Sequence, residues 1–421
     1  MSVSMISLIA LLFAILISVV FSSLNIGALA IGLSLVVGHY FGGMKVDGII
    51  KGFPTNLFIL LAGTTYLFSI ASTNGTLEKL TGFAIRAVRG RAALLPIVLF
   101  FLAFAISAMG PGQITTSALL AGPAMLIADQ MGINPLLMAL VVGNGAQAGA
   151  MSPIAPPGII SASILAKVGL TGVGLQLWLN MLIVHFVATV IAYLMFGGIK
   201  LWRAAPHEHA AVLLAQKIEP FDRKQVATLL GVAVLIGLVL GVKLDLGLGA
   251  FAIGSLLVLF KAADESKAIK GMPWNTILMV TGVTVLVNLM SDVGGMDLFA
   301  KLIAQMSNAS TVTLVAGFWS VLVSAYASTT GVILPMFLPM APPLLKQVGG
   351  TDLLALVSSI IVCGFIVDLS PLSTTGAVFI SNAGPKADKN KLFRNMLIWG
   401  LSMSVVGAVV SWIAFTLLGL P

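Results

Sequence analysis

The chain consists of long apolar stretches separated by short polar segments, from its first residues to its last. A helix of about 17–25 apolar residues is long enough to cross the hydrocarbon core of a bilayer. Five stretches of this kind lie on each side of a polar segment near the middle of the chain. We predict ten membrane-crossing helices, at 4–21, 24–41, 54–71, 134–168, 174–198, 225–241, 244–260, 273–291, 352–382 and 392–419.

Two further apolar stretches, at about 92–128 and 311–346, are interrupted in the middle by sequence rich in Gly, Ser or Thr. Each predicts a re-entrant hairpin of two short helices that enters and leaves the membrane on the same side. Two of the crossing stretches, 134–168 and 352–382, contain Gly, Ser and Pro runs that a continuous helix does not accommodate. We predict that these two helices are broken.

The pattern of the first half recurs in the second half. Leu24–Gly32 (LNIGALAIG) returns as Leu246–Gly254 (LGLGAFAIG), Ser107-Ala108 returns as Ser324-Ala325, and Ser152-Pro153 returns as Ser370-Pro371. These matches predict two repeats, 1–198 and 225–421, joined by a cytoplasmic linker at 199–224. Five crossings per repeat is an odd number, so the second repeat is expected to run through the membrane in the inverted direction.

Composition excludes a water-soluble protein. Hydrophobic residues make up 59% of the chain, charged residues only 9%, and the mean hydropathy is +1.10. We therefore predict an all-α polytopic membrane protein. The stretch 4–21 lacks a basic leader and has a counterpart near 226–241, so it is read as the first membrane helix rather than as a signal peptide.

The net charge of +8 does not indicate a nucleic-acid partner, because the basic residues flank the apolar stretches. Their distribution instead indicates the orientation of the chain in the membrane. The predicted topology puts 16 of the 22 Lys and Arg residues on one side. The positive-inside rule makes that side cytoplasmic, which places both termini outside. We expect the chain in the inner (cytoplasmic) membrane of a bacterium.

Substrate and ion binding are expected at the hairpin tips and helix breaks. Each break exposes a helix N-terminus that attracts anions, together with carbonyl and hydroxyl oxygens that bind a hard cation such as sodium. No Lys or Arg lies within the breaks, so a bound anion would need a co-bound cation. This pattern favours cation-coupled anion symport, with sodium as the favoured ion and a proton as the alternative.

Asp368 is the one acidic residue that the predicted topology buries deep in the membrane. Burying a carboxylate is costly, so an intramembrane acid is a functional candidate. Asp368 could bind sodium or carry a coupling proton. The structural alternative is an N-cap for a half-helix beginning near Ser370.

The paired hairpins, the paired broken helices and the run Phe53–Leu80 (FPTNLFILLAGTTYLFSIASTNGTLEKL) resemble the MatC-type malonate/dicarboxylate carriers of the ion-transporter superfamily. The resemblance covers nearly the whole chain. It implies separate scaffold and transport regions, an elevator-type movement, a homodimer, and a small dicarboxylate such as malonate or succinate as substrate. The better-studied sodium–dicarboxylate members carry Ser-Asn-Thr at both hairpin tips, whereas this chain has Gly110–Thr116 and Ser328–Thr330.

The candidate site residues lie at the hairpin tips and helix breaks. Some are chosen for their own chemistry, and others are implied by the resemblance. No cofactor other than the coupling ion is expected. The substrate-binding candidates are Ser107, Gly112, Gln113, Thr115, Thr116, Ser152, Pro153, Ser328, Thr329, Thr330, Pro371, Ser373 and Thr374. The sodium candidates are Ser107, Gly110, Asn144, Gln147, Ser324, Asp368 and Ser370.

Other classes of protein fit this pattern to different degrees. A channel needs a continuous polar pore, and an intramembrane aspartyl protease needs a second embedded acid, so neither is favoured and no enzymatic activity is expected. A sodium–proton antiporter, in which Asp368 alternates between the two ions, is the more serious rival. A carrier of another organic anion, such as citrate, also remains open.

Overall fold

The computed structural model describes residues 1–21, 24–87, 93–203, 219–325 and 328–419. Within these ranges all regular structure is helical, which confirms the all-α class. The first half contains α1 (Val3–Val20), α2 (Ile26–Leu35, continued by a π-helical turn at Val36–Phe41), α3 (Val46–Lys51), α4 (Thr55–Thr73), α5 (Thr76–Ala87), α6 (Leu94–Ala108), α7 (Gly112–Gln130), α8 (Pro135–Gly149), α9 (Pro156–Lys167), α10 (Gly174–Met195) and α11 (Gly198–Arg203).

The second half follows residues 204–218, which lie outside the described ranges and include most of the predicted linker. It contains α12 (Arg223–Val242), α13 (Leu246–Leu259), α14 (Glu265–Gly271), α15 (Trp274–Asp292), α16 (Gly295–Ala304), α17 (Val312–Ser324), a π-helical turn (Thr329–Ile333) leading into α18 (Leu334–Gln347), α19 (Leu353–Ile366), α20 (Thr374–Ser381) and α21 (Lys389–Ser411, continued by a π-helical turn at Trp412–Leu417).

Four helices of the described ranges are long and apolar enough, by length and composition, to cross a membrane. They coincide with four of the ten predicted crossings, and the total number of crossings remains a prediction. The four are Thr55–Thr73, Gly174–Met195, Trp274–Asp292 and Lys389–Leu417.

The interrupted stretches form paired helices. α6 and α7 pack against each other as a hairpin whose tip is Met109–Pro111. α17 and α18 flank the second tip, of which residues 326–327 lie outside the described ranges. The two broken stretches become α8 and α9, separated by residues 150–155, and α19 and α20, separated by residues 367–373.

Helix bounds recur at nearly constant separations along the chain. Along the sequence, α15 starts and ends the same number of residues after α4 does. The second hairpin helices, 112–130 and 329–347, are likewise separated by the same number of residues at both ends. The displacement between the starts of α8 and α19 equals that between the starts of α9 and α20. These separations agree with those of the sequence matches.

Helices of the two halves cross each other in matching pairs. α2 packs on α15, and α4 packs on α13. A Cβ placed on Gly282 would lie 2.2 Å from the Gly27 carbonyl oxygen, and one on Gly63 would lie 2.1 Å from that of Gly247. Both crossings therefore depend on glycine, since any side chain at these positions would force the backbones apart.

The broken helices lie at the centre of the molecule. Residues 136–149 of α8 and 355–366 of α19 are buried throughout. The second hairpin helix of each half packs on the short half-helix of the other, α7 on α20 and α18 on α9. Tips and breaks are thus brought together in the protein interior.

Candidate functional site

Asp368 follows the C-terminus of α19 in an unwound segment, and it is only 6% exposed. Its carboxylate oxygen Oδ1 accepts a hydrogen bond of 2.8 Å from the Thr329 hydroxyl and one of 3.2 Å from the Ser324 hydroxyl. The carbonyl oxygen of Gly364, in the last turn of α19, also lies 2.8 Å from the Thr329 hydroxyl and 2.9 Å from that of Ser324. We call these four oxygens the oxygen cluster.

The oxygen cluster contains more acceptors than donors. The Ser324 and Thr329 hydroxyls are 2.5 Å apart, and each supplies a single hydrogen. Two hydrogens therefore serve a carboxylate, a helix C-terminal carbonyl and two hydroxyl oxygens. Carboxylate, carbonyl and hydroxyl oxygens are the donor set that hard cations prefer, so the cluster is suited to a cation or an additional proton.

The Asp368 N-cap alternative is wrong. α20 begins at Thr374, and its N-cap is Ser373, whose hydroxyl oxygen accepts a hydrogen bond of 3.1 Å from the backbone N–H of Gly376. The same hydroxyl donates to backbone carbonyls of Asp368 and Ser370. The Asp368 carboxylate therefore does not cap this helix, and it faces the second hairpin tip.

A cavity of about 80 Å³ adjoins the oxygen cluster. Since one water molecule takes about 30 Å³ of liquid, the cavity has room for a few waters or one small anionic group. Ser328, which caps the helical turn after the second tip, and Ser373, which caps α20, both line it. The full lining is Ile114, Ser328, Asp368, Leu372, Ser373, Thr374 and Thr375.

The electrostatics of the cavity are mixed. Two helix N-termini place positive partial charge on it, which favours an anion. Among the described residues that line it, Asp368 is the only acidic residue, and none is Lys or Arg. An anion there would repel Asp368 unless a cation or a proton were bound at the oxygen cluster.

The two hairpin tips are joined by a side-chain hydrogen bond. The Gln113 amide nitrogen Nε2 donates to the Thr330 hydroxyl oxygen over 3.0 Å, and both residues are buried. The two substrate-binding candidates are therefore brought together by the fold, one from each half.

The first-half break makes different contacts. The Ser152 hydroxyl donates to the carbonyl of Ala108 at the first tip over 2.6 Å. The Asn144 carbonyl oxygen Oδ1 lies 2.9 Å from Nδ1 of the buried His185 on α10. Gln147 is fully buried, and neither its amide oxygen nor its amide nitrogen has a hydrogen-bond partner among the described residues.

The other predicted site residues lie away from the oxygen cluster. The hydroxyls of Ser107 and Thr116 are buried and have no hydrogen-bond partner within the described ranges. Gly110 at the first tip packs on the Phe68 ring, and Ser370 packs on Gly400 of α21. The remaining candidates are Gly112 beside Pro156 and Pro157, Pro153 in a large cleft, Thr115 beside Pro111 and Phe68, and Pro371 buried in the second break.

The large cleft, of about 800 Å³, reaches the first break. The N-terminal half of α4 and the start of α13 line one wall, and α9 lines the other. Pro153 lies in the cleft, as do the side chains of Lys167 and Asp245. The cleft is large enough for a small organic acid.

Three residues of the oxygen cluster, the small cavity and the cleft were not among the candidates predicted from sequence. The Gly364 carbonyl joins the cluster because α19 ends there, and Thr375 lines the cavity one residue after the predicted Thr374. Lys167 lies in the cleft although it falls at the end of an apolar stretch. Only the helix ends, which sequence locates poorly, would have identified the first two.

Two family models match most of the chain between them. Residues 1–150 match the model of the dicarboxylate carrier protein MatC N-terminus. Residues 237–421 match the citrate transporter model. Both models describe carriers rather than enzymes.

Curated relatives are also transporters. Two proteins of Mycobacterium tuberculosis strain H37Rv, the uncharacterised transporters Rv2685 and Rv2684, are 24% identical over 285 residues and 23% identical over 270 residues. The aligned parts span 63% of this chain and 63% of Rv2685, and 62% and 61% for Rv2684. The chain thus matches less than two thirds of the length of these relatives.

A solved structure has the same fold. The crystal structure of the YdaH transporter of Alcanivorax borkumensis matches with a TM-score of 0.56, covering 90% of each chain at 15% sequence identity. The resemblance predicted from the hairpins and breaks is confirmed by these findings, and so is the expectation that the chain is not an enzyme. The chain is similar to the MatC-type dicarboxylate carriers over residues 1–150 and to citrate transporters over residues 237–421.

Proposed function

We propose that the chain is a secondary active transporter that couples uptake of a small dicarboxylate, such as malonate or succinate, to the entry of sodium. The observation that carries this proposal is the cavity beside the oxygen cluster, where helix N-termini favour an anion and Asp368 is the only ionisable residue of the described lining. An anion and a carboxylate share such a site only when a cation neutralises one of them. Binding of the two ions is therefore coupled by electrostatics.

The oxygen cluster also links the two parts of the site mechanically. Ser324 and Thr329 belong to the second hairpin, whereas Gly364 and Asp368 belong to the broken helix. A sodium ion held by all four groups would fix the hairpin tip against the break. Ser328 and Ser373, which follow on the same two segments, would then hold the anion cavity in shape, so the sodium-loaded carrier binds the anion best.

We propose that residues 1–198 and 225–421 are inverted repeats that contain an elevator-type transport region. The recurring helix bounds and the paired crossings of α2 with α15 and of α4 with α13 support two equivalent halves. In this arrangement α6–α9 and α17–α20 would carry the site, and the crossing helices would form the scaffold. The cleft between α4 and α9 supports a movable boundary between the two regions.

The membrane setting is part of the same proposal. The distribution of Lys and Arg supports an inner-membrane carrier with both termini outside and a cytoplasmic linker. The cleft would then open to the outside, since Lys51, Lys167 and Lys243 lie on the side that carries fewer basic residues. A homodimer is proposed from the family resemblance.

Citrate is the second candidate substrate, because residues 237–421, which include the oxygen cluster and most of the cavity, match a citrate transporter model. A larger tricarboxylate would need the cavity to open further than its 80 Å³. A sodium–proton antiporter remains the alternative without an organic substrate.

The test is uptake of radiolabelled malonate, succinate and citrate into proteoliposomes under an imposed sodium gradient, a proton gradient, or neither. We expect sodium-driven uptake of a dicarboxylate, and its loss in Asp368→Asn, which removes the negative charge but keeps the side-chain size. Asp352→Asn is the matched control, because Asp352 caps the other end of the same helix and Asn caps equally well.

Uptake that is unaffected by removing both gradients would contradict the proposal. Ion-driven change of internal pH without uptake of any of the three acids would favour the antiporter. Uptake of citrate alone would identify citrate, rather than a dicarboxylate, as the substrate. The proposed coupling to sodium would still stand.

A further inference from the structure

The two halves can be compared residue by residue at their helix breaks. A Cβ on Gly158 would lie 2.0 Å from the Ser152 carbonyl oxygen, and a Cβ on Gly376 would lie 1.9 Å from the Ser370 carbonyl oxygen. Gly158 and Gly376 are separated by the same number of positions as Ser152 and Ser370, and as the starts of α8 and α19. The same close contact at the same separation fixes the correspondence of the two breaks.

The hairpin tips can be matched in the same way. The second hairpin helices start at Gly112 and Thr329 and have the same length, so these two residues are equivalent. The same register pairs Gln113 with Thr330, and these two residues are hydrogen-bonded to each other. Two equivalent positions that touch lie where an axis relating the halves would pass. The tips are therefore equivalent in space as well as in sequence.

The oxygen cluster has a counterpart in the first half that lacks the carboxylate and one of the two hydroxyls. Ser324 corresponds to Ser107, which keeps its hydroxyl. Gly364 corresponds to Ala146, which keeps its backbone carbonyl. Thr329 corresponds to Gly112 and Asp368 to Ala150, and neither counterpart has a side-chain oxygen.

The lining of the anion cavity has lost its polar groups in the same way. Ser328 corresponds to Pro111 and Ser373 to Ala155. Thr374 and Thr375 correspond to Pro156 and Pro157. Three of these four counterparts are prolines, which offer neither a hydroxyl nor a backbone N–H.

Packing closes the space that an ion would need in the first half. A Cβ on Gly145 or on Gly149 of α8 would lie 2.4 Å from a backbone carbonyl oxygen of α6, so the two backbones touch. The Pro156 ring lies 3.0 Å from where a Cβ on Gly112 would be. The second-half equivalents of the two α8 glycines are Cys363 and Val367, whose side chains pack in a cluster with α17 and keep its backbone further away.

Ser107 shows the result of this packing. Its hydroxyl oxygen is fully buried and has no hydrogen-bond partner among the described residues, so it does not bond even the carbonyl of Ala146. Ser324, its equivalent, contacts the Thr329 hydroxyl, the Gly364 carbonyl and the Asp368 carboxylate. The same residue type is thus part of a cluster in one half and isolated in the other.

We propose that the chain binds one coupling sodium ion, at the oxygen cluster of the second half, and that the first-half counterpart is a packed remnant that binds none. This rests on the proposed function in taking sodium as the coupling ion. One sodium ion neutralises one carboxylate, so a singly charged acid would cross without net charge. A dicarboxylate with both groups ionised would carry one net negative charge and would be opposed by an inside-negative potential.

Equilibrium binding of radiolabelled sodium to the purified full chain in detergent tests the proposal, with choline chloride keeping the ionic strength constant. We expect one sodium ion per chain in the wild type. Asp368→Asn and Thr329→Val are expected to weaken binding at least tenfold, and Thr329→Val preserves the side-chain volume. Ser107→Ala is expected to bind one sodium ion with a Kd within twofold of the wild type.

Two sodium ions per chain, loss of one equivalent in Ser107→Ala, or no saturable sodium binding by the wild type would each overturn the inference. Asp352→Asn serves as the folding control, since it alters an acid at the opposite end of α19 and keeps the cap. The proposed function fails by a different result. A chain that binds one sodium ion but takes up no carboxylate would contradict the proposed function and would be consistent with this inference.

Discussion

At the scale of single residues, Asp368 differs from the five aspartates that are N-caps of helices. Those carboxylates accept hydrogen bonds from backbone N–H groups and cap helices, a local role worth about 1 kcal/mol each. Asp368 instead accepts from two hydroxyls of a distant segment. The capping aspartates are Asp222, Asp245, Asp264, Asp352 and Asp388.

The first prediction concerns the Thr329 hydroxyl. Thr329→Val removes one oxygen of the cluster and keeps the shape of the side chain, whereas Thr329→Ser keeps the oxygen. We expect the sodium concentration for half-maximal malonate uptake to rise at least tenfold in the valine variant, which corresponds to about 1.4 kcal/mol. The serine variant should stay within a few-fold of the wild type. Equal shifts in both variants would show that the methyl group, not the oxygen, matters.

At the scale of elements, small residues decide where helices of this chain touch. α6 lies directly on α8 because Gly145 and Gly149 carry no side chain, and α2 lies on α15 because Gly27 and Gly282 meet. Such close crossings give van der Waals contact between backbones, which is a main source of helix association inside a membrane. They also hold the first break at a fixed distance from the first tip.

The second prediction concerns one of these crossings. Gly149→Ala places a Cβ 2.4 Å from the Phe104 carbonyl oxygen, so α6 must move and the expected loss of stability is about 1–3 kcal/mol. Gly32→Ala on α2 is the matched control, because nothing lies within 4 Å of the new Cβ. We expect it to be neutral or to stabilise its helix by up to about 1 kcal/mol. Thermal unfolding midpoints of the two purified variants in detergent measure the difference, and equal midpoints would contradict it.

At the scale of the whole molecule, the cavities along the two halves of α4 differ in size. The cleft of about 800 Å³ reaches the first break, whereas the cavity between the first tip, α4 and the start of α15 measures about 120 Å³. A cavity that is wide along one half of α4 and narrow along the other is compatible with one end state of the proposed alternating access. The elevator proposal therefore concerns how α9 moves relative to α4.

The third prediction uses the charge of the cleft. Lys167 is exposed there and attracts an anion as it enters, so Lys167→Glu should raise the KM for malonate several-fold at low ionic strength. The difference should shrink as choline chloride is added, since salt screens charges beyond about 10 Å at 0.1 M. Lys243→Glu, outside the cleft lining, is the control. A KM shift that does not depend on salt would assign Lys167 a contact role instead.

The fourth prediction tests movement across the cleft. Cys363 is the only cysteine of the chain and is buried, so Cys363→Ser gives a background for pairs of introduced thiols. Ile59→Cys on α4 and Ser163→Cys on α9 lie on opposite walls. Cross-linking this pair should abolish malonate uptake and leave sodium binding intact, and a cleavable linker should allow recovery. Full uptake by the cross-linked protein would exclude relative movement of the two walls.

The sequence by itself determined the all-helical class, the resemblance to carriers and the positions of the breaks, because these depend on local properties. Apolar runs long enough for a membrane, and Gly and Pro where helices stop, are read directly from neighbouring residues. The nearly constant separation of the repeats, which also appears in the helix bounds, came from short sequence matches for the same reason. Asp368 was singled out because a lone acid among apolar residues needs no structure to be noticed.

Only the tertiary structure decided which groups meet. Thr329, Asp368 and the Gly364 carbonyl lie on two separate segments, and the contact among them depends on where α19 ends and how the second hairpin packs on it. Sequence matching also made Ser107 and Ser324 equivalent, whereas packing isolates one and gives the other three oxygen neighbours. Spacing along the chain cannot distinguish them, because the distance between non-local groups is set by the side chains that fill the space between helices.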